Sequence, residues 1–321
     1  MSGNHEYPVL TRSEHREIFR AAQQSGPVVF PWHLIALLVA FLLMLSSYWV
    51  LMLESTWACC LSGLLLANGM LMLQVVLHEA AHHSLFRSSW VNAVMGWFAG
   101  LLVLTPFSSY RRGHVAHHCF AGTMRDPTAA PDAPRWHKGV VTCLVKLHVV
   151  PILYLGGVYV PYLIYDSKSK STKHKLEWCL NLLEIILLQA MLAWLLGPVR
   201  YLIVLAFAFW LSAMLYEYLF TQHQHVGLLP VPRSNERYSL REQQVFSRSV
   251  RMRCAGLLMF FNLHKEHHLF PSLPCCYLPR VHHWLQQNRP DVLGFTSEHL
   301  GVLQRRSDLR IYAPSEGDHE G

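Results

Sequence analysis

Three short histidine clusters interrupt an otherwise apolar chain: His78-Glu-Ala-Ala-His82, His114-Val-Ala-His117-His118 and His264-Lys-Glu-His267-His268. Two more histidines, His223 and His225, stand ahead of the third cluster. Imidazole is the commonest neutral metal ligand and suits iron, zinc and copper. On a helix, positions i, i+3 and i+4 share a face, so each cluster can aim its rings at one point. Eight or nine ligands are too many for one ion and about right for two. The clusters hold no cysteine, which excludes a closed structural zinc site of the thiolate type. An all-nitrogen shell with open positions suits non-haem iron and dioxygen. Zinc is the other metal such a shell accepts, but it cannot supply the electrons that oxygen activation needs.

Metal-bound imidazoles usually donate their second N–H to a carboxylate or carbonyl. Glu79, Asp126, Asn262 and Glu266 lie within or beside the clusters and are expected in that supporting position. Asn262 also suits holding a metal-bound water. His83, His137, His148, His282 and His283 are off the pattern and are not expected as ligands.

The ligands need a scaffold, and composition says what kind. The chain has 321 residues, 52% hydrophobic and only 15% charged, as in membrane proteins. Four stretches approach the ~20 apolar residues that cross a bilayer core as helix. They are 31–53, 57–77 (which runs straight into His78), 177–197 and 199–221. Stretches 91–107 and 139–165 are too short or too broken and are expected to be interfacial or re-entrant. The fold class expected is an all-α integral membrane protein, with four transmembrane helices in two hairpins and a cytosolic helical cap carrying a histidine-rich dimetal site. The parts are a polar N-terminal segment over 1–29, a membrane domain over 30–285 and a polar tail over 286–321. The first apolar run is too long for a signal peptide.

The net charge of +7 is not spread as a nucleic-acid face would be, so no nucleic acid is expected as a partner. Arg12, Arg16 and Arg20 precede the first span, Arg111 and Arg112 follow the second, and Lys168, Lys170, Lys173 and Lys175 precede the third. The short turns at 54–56 and 197–198 carry no lysine or arginine. The positive-inside rule then places both termini and all three clusters on the cytoplasmic side. The cysteines form no CxxC pair and read as reduced thiols.

With these residues in view, the chain resembles the membrane fatty acid desaturase superfamily. HEAAHHSLF, RRGHVAHH followed by Asp126-Pro127, and NLHKEHHLFP look like that family's three histidine boxes, in the same order and after the expected spans. The resemblance covers roughly residues 30–285. It implies two non-haem irons held by His78, His82, His114, His117, His118, His264, His267 and His268, with His223 or His225 adding a ligand. It implies O2 as co-substrate, a lipid or acyl substrate, and attack on an unactivated C–H bond. No HPGG motif of a fused cytochrome b5 is present, so the two electrons are expected from a separate ferredoxin or cytochrome b5 type donor. The substrate chain would lie in an apolar tunnel, with Trp97, Tyr216 and Phe220 as candidate wall residues. Desaturation of an acyl chain is the expected reaction. Hydroxylation or ketolation of a carotenoid or other hydrocarbon lipid by the same diiron site is the alternative.

Overall fold

The computed structural model describes residues 10–24, 31–121, 125–128, 155–221, 224, 247–253, 255–293 and 297–298. Nearly all regular structure among them is helical. The exception is a parallel pairing of two-residue strands, β1 (Val250–Arg251) with β2 (Ser297–Glu298).

The chain opens with α1 (Arg12–Gln24). Thr11 and Glu14 form a reciprocal cap: the Thr11 N–H donates to Glu14 Oε2 at 2.6 Å, and the Glu14 N–H to Thr11 Oγ1 at 3.2 Å. That satisfies two donors that a helix start otherwise leaves open. Ile18 and Ala22, on one face, are buried, while Arg12, Arg16 and Arg20 are exposed on the other.

Four helices are long and apolar enough to cross a membrane: α2 (Trp32–Leu51), α3 (Thr56–Ala81), α6 (Thr172–Leu196), and α7 (Pro198–Tyr216) with its continuation to Thr221. All four expected stretches are helical. α6 begins five residues ahead of the expected 177–197, because the polar first turns Lys173–Glu177 extend the helix beyond its apolar run. Ser171 caps that start, accepting from the His174 N–H.

The bundle is organised around α3, which packs along α2, α7 and α4 (Ser89–Leu102). Lipid tails are as apolar as leucine, so close packing rather than the hydrophobic effect holds such helices together. α3 has the small residues this requires. A Cβ on Gly63 would lie 2.5 Å from the Phe207 ring, and Ser62 and Ser47 bond across the α2–α3 seam at 2.9 Å. The outer faces are the reverse of a soluble protein's: Trp49, Ile186, Trp194 and Ile203 are all exposed, Trp194 by 78%. A contiguous apolar exterior of this kind is a membrane-facing surface.

The expected interfacial stretch 91–107 is a sharp corner. α4 ends at Leu102, and α5 (Phe107–Phe120) leaves at 107° to it. Leu104 takes a left-handed backbone (φ 60°), and Gly100 lets the Thr105 carbonyl oxygen approach to 2.4 Å of where a Cβ would be. Most of the other broken stretch lies outside the described residues. Its end is a π-helical turn, Leu155–Tyr159, running into a short helix, Val160–Leu163.

Candidate metal centre

The first histidine box is the cytoplasm-expected end of α3. His78 sits in its last turn, and His82 is the first residue past it, with its N–H on the Glu79 carbonyl. At His83 the backbone turns left-handed (φ 57°) and leaves the helix axis. Asn92 pins the loop that follows, accepting from the Leu85 N–H at 3.0 Å and donating to the Phe86 carbonyl at 2.7 Å.

The second box lies on α5, and the corner at Gly100 turns it back across the end of α3. Ser109 donates to the Tyr162 carbonyl at 2.7 Å. Arg112 grips Asp166 with its fork and Glu177 at 2.8 Å, tying α5 to the start of α6. The third box is the short helix α8 (His264–Leu269). Its buried Glu266 bonds Ser249 Oγ and His282 Nδ1, and the Lys265 N–H donates to Ser249 Oγ at 3.1 Å. His282 belongs to α9 (Leu278–Asn288). Burial lowers its pKa, but the Glu266 carboxylate beside it more than offsets this, and the net shift is upward.

These three segments, far apart in sequence, meet. One ring nitrogen from each of His78, His82, His114, His118 and His267 lies within 4.8 Å of every other. The remaining box histidines border this group. His268 stacks on His118 with ring centroids 4.2 Å apart, His264 approaches His268 at 4.6 Å, and the ring of His117 lies 5.6 Å from that of His268. All eight are in one region. His223 and His225 lie outside the described residues.

The donor set fits a metal. His82 Nε2 is buried with no hydrogen-bond partner, a costly state for a polar atom unless something ligates it. The Nε2 atoms of His114 and His118 approach to 3.2 Å, and those of His264 and His268 to 3.0 Å. Two nitrogens each about 2.1 Å from one ion, at roughly a right angle, stand about that far apart. Burial is the chief cause that pushes His82 down to about 3, with the neighbouring His117, His83 and Arg111 adding to it in that order. Its imidazole is therefore neutral, as a ligand must be.

The four supporting residues divide in two. Glu79 Oε1 lies 2.9 Å from His78 Nδ1 and 3.9 Å from His267 Nδ1, while Oε2 accepts from Ser84 Oγ at 2.6 Å. Both carboxylate oxygens of Asp126 lie 3.0 Å from His117 Nδ1, and Asp126 is itself fixed by the Thr128 N–H at 2.9 Å. Glu266 instead joins its box to Ser249 and α9. Asn262 accepts the Val250 N–H at its backbone carbonyl at 2.9 Å and donates its side-chain amide to the Val250 carbonyl at 2.7 Å, leaving Oδ1 buried and unpartnered.

Sequence reasoning missed Tyr162, whose hydroxyl lies 3.3 Å from His114 Nδ1, and Thr128, 3.0 Å from His117 Nδ1. It also passed over His282. A cavity of about 40 Å³ adjoins the cluster, lined by His78, His114, His264, Tyr110, Tyr162 and Tyr216 among others. It has room for a few water-sized molecules. Of the three expected wall aromatics, Tyr216 lines this cavity, and Phe220 is fully buried against Phe261, with ring centroids 4.7 Å apart. Trp97 is on the outer face of α4, bonded to Glu184, because α4 turns that side toward α6 and lipid.

Fold and cluster together define a helical membrane protein with a buried, histidine-built site able to hold metal. The sequence profile of the family described as fatty acid desaturase matches residues 55–298, and the chain belongs to that family. It is thus an oxidoreductase of the membrane desaturase type. A protein named fatty acid desaturase from Bacillus subtilis is 25% identical to it over 243 residues, which are 70% of this chain and 67% of that one. An sn-1 oleoyl-lipid 12-desaturase from a Picosynechococcus species is 38% identical over 61 residues, 19% of this chain and 18% of that one.

Proposed function

We propose that this chain introduces a double bond into a lipid acyl chain, using two non-haem irons held by its eight box histidines. The observation that carries this is the convergence of His78, His82, His114, His118 and His267 on one buried point. His223 or His225 completes the set. Iron held there supplies the oxygen chemistry: O2, two electrons and two protons become two waters while two hydrogens leave adjacent carbons.

The chain's own residues do the rest. Glu79 and Asp126 accept the outer N–H of His78 and His117, which fixes those rings and turns their inner nitrogens toward the metals. The Tyr162 hydroxyl does the same for His114. Tyr110 and Tyr216 wall the adjoining cavity, exclude bulk water and seat the reacting carbons. Rate then comes chiefly from positioning. The two electrons arrive from a separate carrier of ferredoxin or cytochrome b5 type. The spans form two hairpins, α2 with α3 and α6 with α7, and the boxes lie under a helical cap on the cytoplasmic side, where the basic loops belong.

Expression in a bacterium, followed by lipid mass spectrometry, tests the reading. Products lighter by two hydrogens are expected, together with iron in the purified protein. Products heavier by one oxygen, traced to labelled O2, would replace desaturation with hydroxylation. Zinc without iron would sink the oxygen chemistry.

A further inference from the structure

A histidine-box site does not by itself account for α1. The helix precedes the first span and lies ahead of the family match at 55–298, yet it is fastened to the end of the third box. His15 Nε2 is 2.9 Å from the Leu269 carbonyl oxygen, and the His15 ring stacks on Phe270 with centroids 4.2 Å apart. A carbonyl only accepts, so the proton must be on Nε2. Two further ties hold α1 to α9 and its end. Arg289 Nη1 lies 2.6 Å from Glu14 Oε1, and Arg280 donates to the Ala22 carbonyl at 3.0 Å. Leu269 and Phe270 are buried, at 2% and 1% exposure, so water is not at hand for that carbonyl.

The box helix α8 has six residues. A helix that short has little stability of its own, and its direction is set by whatever grips it. Glu266, through Ser249 and His282, grips it from within. At its C-terminal end the last carbonyls have no partner in the helix, and one of them, next to His268, is taken by His15.

We infer that α1 is a working part of the metal centre, with His15 as a positioning residue that fixes the last turn of α8 and so aims His267 and His268. The inference rests on the reading that the box histidines hold metal. It places a residue from outside the family-matched stretch among those that set ligand geometry.

The test uses full-length protein in detergent, stripped of metal and titrated with Co²⁺, whose visible absorption reports both affinity and coordination. His15→Phe keeps a stacking ring and loses the donor; His15→Gln keeps a donor and loses the ring. The expected result is a loss of about tenfold or more in Co²⁺ affinity, with an altered spectrum, for His15→Phe, and near wild-type binding for His15→Gln. Wild-type binding by His15→Phe would reduce α1 to packing and overturn the inference. If wild type itself takes up no Co²⁺, the metal-site reading fails, and this one with it. Should His15→Phe fail to insert, Arg289→Met decides, since it loosens α1 without touching the box. A weakening of about threefold supports the inference, and unchanged affinity overturns it.

Discussion

His267 brings the third box against the other two, its ring lying 4.4 Å from that of His78 and 5.1 Å from that of His118. Replacing it with Ala should lower activity by at least about 100-fold and reduce iron content, while the protein still inserts. Full activity in that variant would remove the cluster from the chemistry. Asp126→Asn should weaken metal retention by about 10- to 100-fold, read by metal analysis after dialysis, because the His117 ring loses its anionic anchor. His282 permits a pH test. Its folded pKa is raised above the ordinary 6.5 by Glu266, so its contribution is full below that value and is lost as pH rises through the raised one. The melting temperature of wild type should therefore exceed that of His282→Gln by more at pH 6 than at pH 9; a gap that ignores pH would refute the pairing. At this scale the boxes were legible because helical spacing groups them and three groups in order are hard to misread. Asp126 was legible because it follows its box closely. Tyr162 was not: it reaches His114 from 48 residues downstream, and no local pattern announces such a contact. His282 was passed over for the same reason, since its partner Glu266 is brought to it only by folding.

Among the elements, the α4–α5 corner matters most to the site, because it is what turns the second box back over the end of α3. Gly100→Val would drive a side chain into the Thr105 carbonyl. It should cost about 1–3 kcal/mol, seen as a lower melting temperature and a loss of bound iron together. A variant that loses stability and keeps its metal would show that the corner does not set the box. The four apolar helices could be read from length and hydropathy to within a few residues. The corner could not, because a stretch of this length reads as interfacial whichever way it bends. Its angle comes from Gly100 and the left-handed Leu104, and single residues carry no periodic signal. The start of α6 was read late for a related reason: apolarity marks where lipid begins, whereas capping by Ser171 marks where the helix begins.

For the whole molecule, the proposed topology has a direct check. In a background without other accessible thiols, Lys170→Cys and Thr56→Cys should label from opposite sides of the membrane; both residues are exposed and lie at opposite ends of the spans. Labelling from one side only would break the two-hairpin arrangement. The membrane class and the gathering of the boxes were visible in composition and spacing. Their exact approach was not, because it depends on how α3, α5 and α8 cross. That crossing also has a consequence in time. His78 and His82 leave the ribosome early and His267 late, and at the usual pace of synthesis roughly 10–40 s separate them. During that interval a half-made chain already in the bilayer carries four of the five clustered imidazoles with nothing to close them. On the proposed metal reading, the ligand set is complete only once synthesis has passed the third box, and a chain cut short before residue 264 would insert like its parent but lack that box's histidines.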